Sequence, residues 1–270
     1  MRTAYTLILD GTVRGCIRST LRSGSGEESG VAQAVDQEVA GPVAAHKRLN
    51  RDELISTALA VADSEGLEAV TIRRVAQQHD VTPMALYRHF PDKDGLFDAV
   101  TERLLTDVRV PEPDERPWHE QMNDLLSGFL AALRPHPNAA GLVITRIFAS
   151  EPGLVVTERT LALLSAAGLP VEQGAQTAGQ ALCSLVTLVI TEPGRSNPAL
   201  DPESREEAVS AKKASLLDLS PDRYPHVVAA ADALLSCASN DAYYRRGVDM
   251  IVAGMRGTAQ DALAAEAATG

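Results

Sequence analysis

Cysteine, aromatic side chains and long apolar stretches are all scarce in this 270-residue chain. Its three cysteines, Cys16, Cys183 and Cys237, are odd in number and far apart. They exclude a disulfide framework or a CxxC metal pair, and make a reducing, cytoplasmic setting the expected one. Aromatic residues are only 4% of the chain, against an abundance of Ala, Leu and Val. That balance disfavours a β-sandwich and favours helices packed through small aliphatic side chains. The longest uncharged apolar run, Ala181 to Thr191, is about half of what a membrane span requires, so no membrane partner is expected. Met1 to Asp10 is too short an apolar start for a secretory signal and has no small-residue cleavage site after it. Basic residues are also outnumbered, 25 Lys+Arg against 36 Asp+Glu, for a net charge of −11. Taken whole, that excess argues against nucleic acid. Taken by region it does not: residues 1–109 hold 13 basic and 16 acidic side chains, and residues 110–270 hold 12 and 20.

Residues 1–45 differ in character from the rest. Tyr5 to Leu9 and Thr12 to Ile17 read as two short strands around Asp10-Gly11, and Arg22 to Gly30 has a linker composition. The segment is expected to be a flexible extension; Arg2, Arg14, Arg18 and Arg22 offer the alternative of a DNA-contacting arm. From Asn50 onward the pattern is helical. Asn50 and Glu53 form a capping-box pair ahead of the stripe Leu54, Ile55, Ala58, Leu59, Val61 and Ala62, and Gly66 stops that helix. Thr71 is positioned to cap a second helix, Ile72 to His79. Thr82 is positioned to cap a third, with Pro83 in the first helical position, and a fourth runs from about Asp92 to Thr106. Beyond Pro111, Pro113 and Pro117, helical patterns recur near 117–134, 138–149, 153–167, 170–191, 203–217, 222–237 and 241–256. The expected fold class is all-α. A helix-turn-helix bundle of three or four helices spans 46–106, and a larger helical domain for ligand binding and dimerisation spans 107–270.

The segment Thr71 to Phe90 is the most informative. Val75, Ala76, Val81 and Leu86 are apolar where two short helices must pack across a tight turn, as in a helix-turn-helix whose second helix enters the major groove. No acidic residue falls between Val81 and Phe90. The backbone N–H groups after Thr82 can face phosphate. Thr82, Pro83, Met84 and Ala85 are short enough to approach base edges, with methyl groups for thymine. Tyr87, Arg88 and His89 lie one turn on, where donors reach flanking phosphates.

Residues 48–106, centred on Leu86-Tyr-Arg-His-Phe-Pro-Asp-Lys-Asp-Gly-Leu96, resemble the DNA-binding domain of TetR-type transcriptional regulators. Trp118, Tyr224-Pro-His226 and Tyr244 to Met255 resemble the C-terminal domain of the tetracycline-repressor branch more loosely. The resemblance implies a homodimer that binds double-stranded palindromic operator DNA and lets go when a small molecule occupies the C-terminal domain. It implies phosphate contacts from Thr71 and Lys93 and a base or phosphate contact from Arg73. It also implies base contacts from Thr82, Met84 and Ala85, and backbone contacts from Tyr87 and His89. Two positions depart from the family pattern. Asp80 stands at a turn usually held by glycine, and Arg88 stands where tetracycline repressors carry an aromatic.

The polar residues that hold the tetracycline–magnesium complex are not reproduced, and no His/Asp/Glu cluster has metal spacing. The candidate pocket residues are Leu125, Phe129, Arg146, Gln180, Cys183 and Thr187, a set suited to a large, flat or hydrophobic inducer. Helices 170–191 and 241–256 are the candidate dimer surfaces, the first because it is apolar on most faces. No cofactor, metal or catalytic residue is expected. His119-Glu120 opens like HExxH but position 123 is Asn, and Gly24-Ser-Gly26 lacks the strand and helix of a phosphate cradle. The expected function is a DNA-binding repressor released by a hydrophobic small molecule. The alternatives are a ligand-sequestering or protein-binding helical dimer, or a DNA-binding activator without a small-molecule inducer.

Overall fold

Every element of the computed structural model is helical or a turn; it describes residues 49–192, 202–235 and 240–269. The hairpin and linker readings, the four arginines before residue 23, Cys16 and Cys237 lie outside the described residues.

Helix α1 (Arg51–Glu65) begins where Asn50 accepts a hydrogen bond from the Asp52 N–H at 3.1 Å. It ends at Gly66, whose φ of 89° a side chain would strain. A single 3-10 turn (Leu67–Ala69) leads to α2 (Ile72–Gln78). The Thr71 hydroxyl caps α2 by accepting from the Arg74 N–H at 3.0 Å. Helix α3 (Pro83–Leu86) is one turn long. The expected Thr82 cap is corrected here: Thr82 holds the cap position with extended backbone, but its hydroxyl makes no capping bond. So short a helix also sums little dipole, which weakens the expectation that its N-terminus draws phosphate. Helix α4 (Lys93–Thr106) is capped by Asp92 through the Gly95 N–H at 2.8 Å.

The remaining helices are α5 (Trp118–Leu133), α6 (Leu142–Arg146), α7 (Glu151–Ala166), α8 (Val171–Ile190), α9 (Pro202–Leu217), α10 (Pro225–Leu235) and α11 (Asn240–Thr269). The single helix expected near 138–149 is instead α6 followed by a 3-10 turn (Ile147–Ala149). Helix α11 runs on to Thr269 rather than stopping near 256: it passes through Gly257 because the Ala-rich stretch after it is strongly helix-forming and holds no proline. Helices α9 and α10 pack chiefly on each other, and on α9 no described side chain is fully buried.

Helix α4 joins the two halves of the fold. It packs on α1 on one side and on α6, α7 and the second 3-10 turn on the other. Leu96, Leu104 and Leu105 are fully buried there and belong to the same apolar core as Leu125, Leu133 and Leu164. Farther along, the Asn138 side chain donates to the Ala62 carbonyl at 2.9 Å, and His136 meets Asp63 at 2.7 Å. The end of α1 is thereby tied to the loop before α6.

Candidate functional site

Two regions carry functional geometry. The first is built by α2 and α3. Val75, Ala76 and Leu86 are buried where these helices cross, and the Val81 N–H returns to the Ala76 carbonyl at 3.2 Å. The turn between them requires a left-handed residue, and Asp80 supplies it with φ 52°. Among the described residues it is the one non-glycine residue with positive φ. Asp and Asn tolerate this conformation better than other side chains because a short polar group can bond locally.

With Leu86 turned inward, the other side of α3 faces solvent. Met84 is 71% exposed and Tyr87 47% exposed, unusual for large apolar side chains that have a core close by. Thr82 and Arg88 are exposed, while Pro83, Ala85 and His89 are half-buried. The His89 ring leans on Phe90, with centroids 6.3 Å apart. Thr71 and Arg73 are exposed at the start of α2. Arg74 does something different from its neighbour. Its guanidinium is hydrogen-bonded and ion-paired to Glu65 at 2.5 Å, which holds the Glu65 carboxyl below its ordinary range. Lys93 opens α4 half-buried, its ammonium 5.0 Å from the centre of the Phe97 ring.

The second region is a cavity bounded by α5, the second 3-10 turn, α7 and α8. It holds about 200 Å³ of space and opens to solvent at its mouth. Leu125 and Phe129, two of the residues expected to line a pocket, do line it. Ile147, Val156, Leu161, Ala178, Leu182 and Leu185 complete the apolar wall, and Phe148 is 69% exposed at the mouth. Among the described residues, Thr157 and Thr160 on α7 are its polar side chains. Sequence reasoning missed the α7 wall altogether; the only trace is a pair of threonines three apart, which any helix surface can carry.

The other four candidate residues are not brought to this cavity. Gln180, Cys183 and Thr187 are exposed on the opposite side of α8 from Ala178, Ala181, Leu182 and Leu185. The Thr187 hydroxyl donates back to the Cys183 carbonyl at 2.8 Å. Helix α8 has one apolar side, which packs against α5 and α7, and one polar side, which carries these three residues into solvent. Arg146 turns away from the cavity toward α4. Its guanidinium donates to Asp98 at 2.5 Å and to the Asp94 carboxylate at 2.6 Å, and lies 5.7 Å from the Phe97 ring centre. Burial opposes its charge, but the two carboxylates outweigh that and hold Arg146 above its ordinary range.

The turn after Arg146 is wedged tightly in place. Its Ile147 carbonyl lies so close to Gly153 that a Cβ there would fall 1.7 Å from the oxygen. Gly153 is thus what lets α7 seat against the cavity wall. Among the described residues, no group of three His, Cys, Asp or Glu is gathered as a metal site, and no helix is long and apolar enough to cross a membrane.

Comparison with known proteins agrees with this geometry. Residues 54–100 match the family "Bacterial regulatory proteins, tetR family", and residues 110–259 match "Tetracyclin repressor-like, C-terminal domain". The chain is 28% identical over 120 residues to an HTH-type transcriptional regulator of Saccharopolyspora erythraea, a match covering 44% of this chain and 51% of that one. It therefore spans about half the length of that relative. It is 27% identical to the class C tetracycline repressor protein of Escherichia coli over 77% of this chain and 91% of the relative. These two are named as a regulator and a repressor, not as enzymes. Crystal structures of ActR from Streptomyces coelicolor, apo and in complex with actinorhodin, superpose with TM-scores of 0.67 and 0.66 at 28% identity. They cover 80% and 78% of this chain and 98% of ActR. With a helix-turn-helix at its head and an apolar cavity behind it, this chain belongs to the TetR family of bacterial transcriptional regulators.

Proposed function

We propose that this regulator is a homodimeric repressor that reads a palindromic operator through α3 and is released when a hydrophobic small molecule enters the cavity. The observation that carries the reading is the exposure of Met84 and Tyr87 on a one-turn helix whose inner face is locked by Leu86. Solvated apolar side chains held on a rigid support suit base edges and thymine methyl groups. Thr82, Met84 and Ala85 act as the base-reading set, with Pro83 shaping their approach. Thr71, Tyr87, Arg88, His89 and Lys93 hold phosphates, and Arg73 reaches a base or a phosphate. Residues 46–106 serve as the reading head and 107–270 as the effector and dimerisation domain; the family matches at 54–100 and 110–259 support that division.

Release follows from the connection between the two regions. Ile147 and Phe148 line the cavity, and Arg146 immediately before them is ion-paired to α4, which leads out of the head. A molecule that displaces this wall displaces α4. The actinorhodin-bound form of ActR, a neighbour of the same fold, supports a small-molecule effector. Dimerisation is drawn from α8 and α11, whose outward faces carry Ile190, 51% exposed, and Met250, 69% exposed.

The test is fluorescence anisotropy with a labelled palindromic fragment from the DNA upstream of its own gene. Specific binding should weaken steeply with salt, with a slope set by the number of phosphates contacted. Failure to bind any such fragment at low salt would overturn the reading in favour of a helical dimer that sequesters a ligand.

A further inference from the structure

The cavity's polar content is small and all of one kind. Among the described residues that line it, only Thr157 and Thr160 carry side-chain hydrogen-bonding atoms. Each hydroxyl is bonded to its own helix: Thr157 donates to the Gly153 carbonyl and Thr160 to the Val156 carbonyl, both at 2.8 Å, so donating to a ligand would require it to rotate off that bond. What they present to the cavity is therefore acceptor lone pairs. Three residues apart on one helix, the two hydroxyls stand on the same face. The helix backbone around them is internally paired and offers a ligand nothing further.

Among the described residues, no charged side chain lines the wall. Two cations on the elements that wall it are turned to other partners, Arg146 to Asp94 and Asp98 and Arg159 to Gln121. A carboxylate pressed against this wall would lose its hydration and meet only apolar surface and lone pairs. A carbonyl or ether oxygen would be matched only by a hydroxyl that gave up its backbone bond. A hydroxyl or N–H on an apolar body would be matched.

Building on the reading of this cavity as the effector site, we propose that it selects uncharged ligands with an apolar body and hydrogen-bond donors. A phenol fits and its carboxylic-acid counterpart does not, with Thr157 and Thr160 as the specificity-determining acceptors.

Three probes of one size separate the terms: 2-naphthol, 2-methoxynaphthalene and 2-naphthoate, titrated calorimetrically into the full chain at pH 7.5. The naphthol should bind roughly 3–10-fold more tightly than its methyl ether, the worth of one neutral hydrogen bond. The naphthoate should bind at least about 30-fold more weakly than the naphthol, because an anion there is desolvated without a partner. In the Thr157→Val, Thr160→Val double variant the naphthol should fall to the level of the ether, while the ether itself is unchanged and reports an intact cavity. Ala178→Trp, which fills the cavity, should abolish binding of both.

Equal binding of naphthoate and naphthol by the wild-type chain would overturn the proposal, whatever the variants do. So would a naphthol preference that survives in the double variant, or binding that survives Ala178→Trp. If none of the three probes binds, the cavity is not an effector site and the reading beneath the proposal falls with it.

Discussion

The Arg146 guanidinium lies 2.5 Å from the Asp98 carboxylate, joining the segment that walls the cavity to the helix that leaves the reading head. A second carboxylate, Asp94, sits 2.6 Å from the same guanidinium, yet the two are not equivalent. The Asp94 side chain is 77% exposed and that of Asp98 46%, while Arg146 is only 21% exposed. Water screens the first pair far more than the second. A double-mutant cycle of Arg146→Met with Asp98→Asn should yield a coupling of about 1 kcal/mol in urea unfolding, discounted for the partial exposure of Asp98. The cycle with Asp94→Asn should yield close to none. Equal couplings would remove the special role given to Asp98.

Tyr87 and Met84 are both exposed but are assigned different work. Tyr87→Ala should weaken operator and unrelated DNA alike, by roughly 3–10-fold for a lost phosphate hydrogen bond. Met84→Ala should instead change the ranking among operators altered at single base pairs, by about 1–3 kcal/mol at the contacted position. Competition binding against a set of single-position operator variants distinguishes the two patterns. The same effect from both substitutions on every operator would contradict the assignment of α3 as the reading helix.

At the turn between α2 and α3, Asp80 occupies a left-handed conformation that glycine adopts without a Cβ penalty. Asp80→Gly is expected to stabilise the fold by about 0.5 kcal/mol, since the extra freedom of glycine in the unfolded chain offsets part of the gain. Asp80→Ala should destabilise by about 1 kcal/mol. Thermal unfolding of the three proteins should order them Gly, Asp, Ala; an alanine variant as stable as the wild type would mean that the turn is not strained.

Gly153 gives the sharpest steric expectation. A methyl group there meets the Ile147 carbonyl at 1.7 Å and Leu105 Cδ1 at 3.1 Å, so either the 3-10 turn or α7 must shift. Gly153→Ala should cost about 3 kcal/mol, the upper part of the usual range for overpacking. A loss under about 1 kcal/mol in urea unfolding would show that the turn is freer to move than its packing implies.

The reading head was legible in the sequence because its determinants are local. Gly66, Thr71, Pro83 and Asp92 each punctuate a helix within a few residues of themselves, and the apolar spacing from Val75 to Leu86 fixes how two short helices meet. Leu125 and Phe129 were legible for a related reason, since α5 has one clear apolar stripe. Gln180, Cys183 and Thr187 fall with Glu172, Gln176 and Ser184 on one polar side of α8, so its periodicity itself turns them to solvent, a signal that their assignment to the pocket overlooks. The ion pairs of Arg146 are invisible in the sequence because its partners, Asp94 and Asp98, lie about fifty residues earlier, and only tertiary packing brings them together. Thr82 shows the reverse limit: a residue type suited to capping stands in the cap position, yet its hydroxyl makes no capping bond.

The central claim is a symmetric, two-headed grip on DNA by α3, and hydroxyl-radical footprinting on the DNA upstream of the gene tests it most directly. The account predicts two protected patches related by a two-fold axis, with major-groove centres about 34–36 Å apart, on one face of the duplex. A single unpaired patch, or no protection at a salt concentration where the protein is folded, would contradict it.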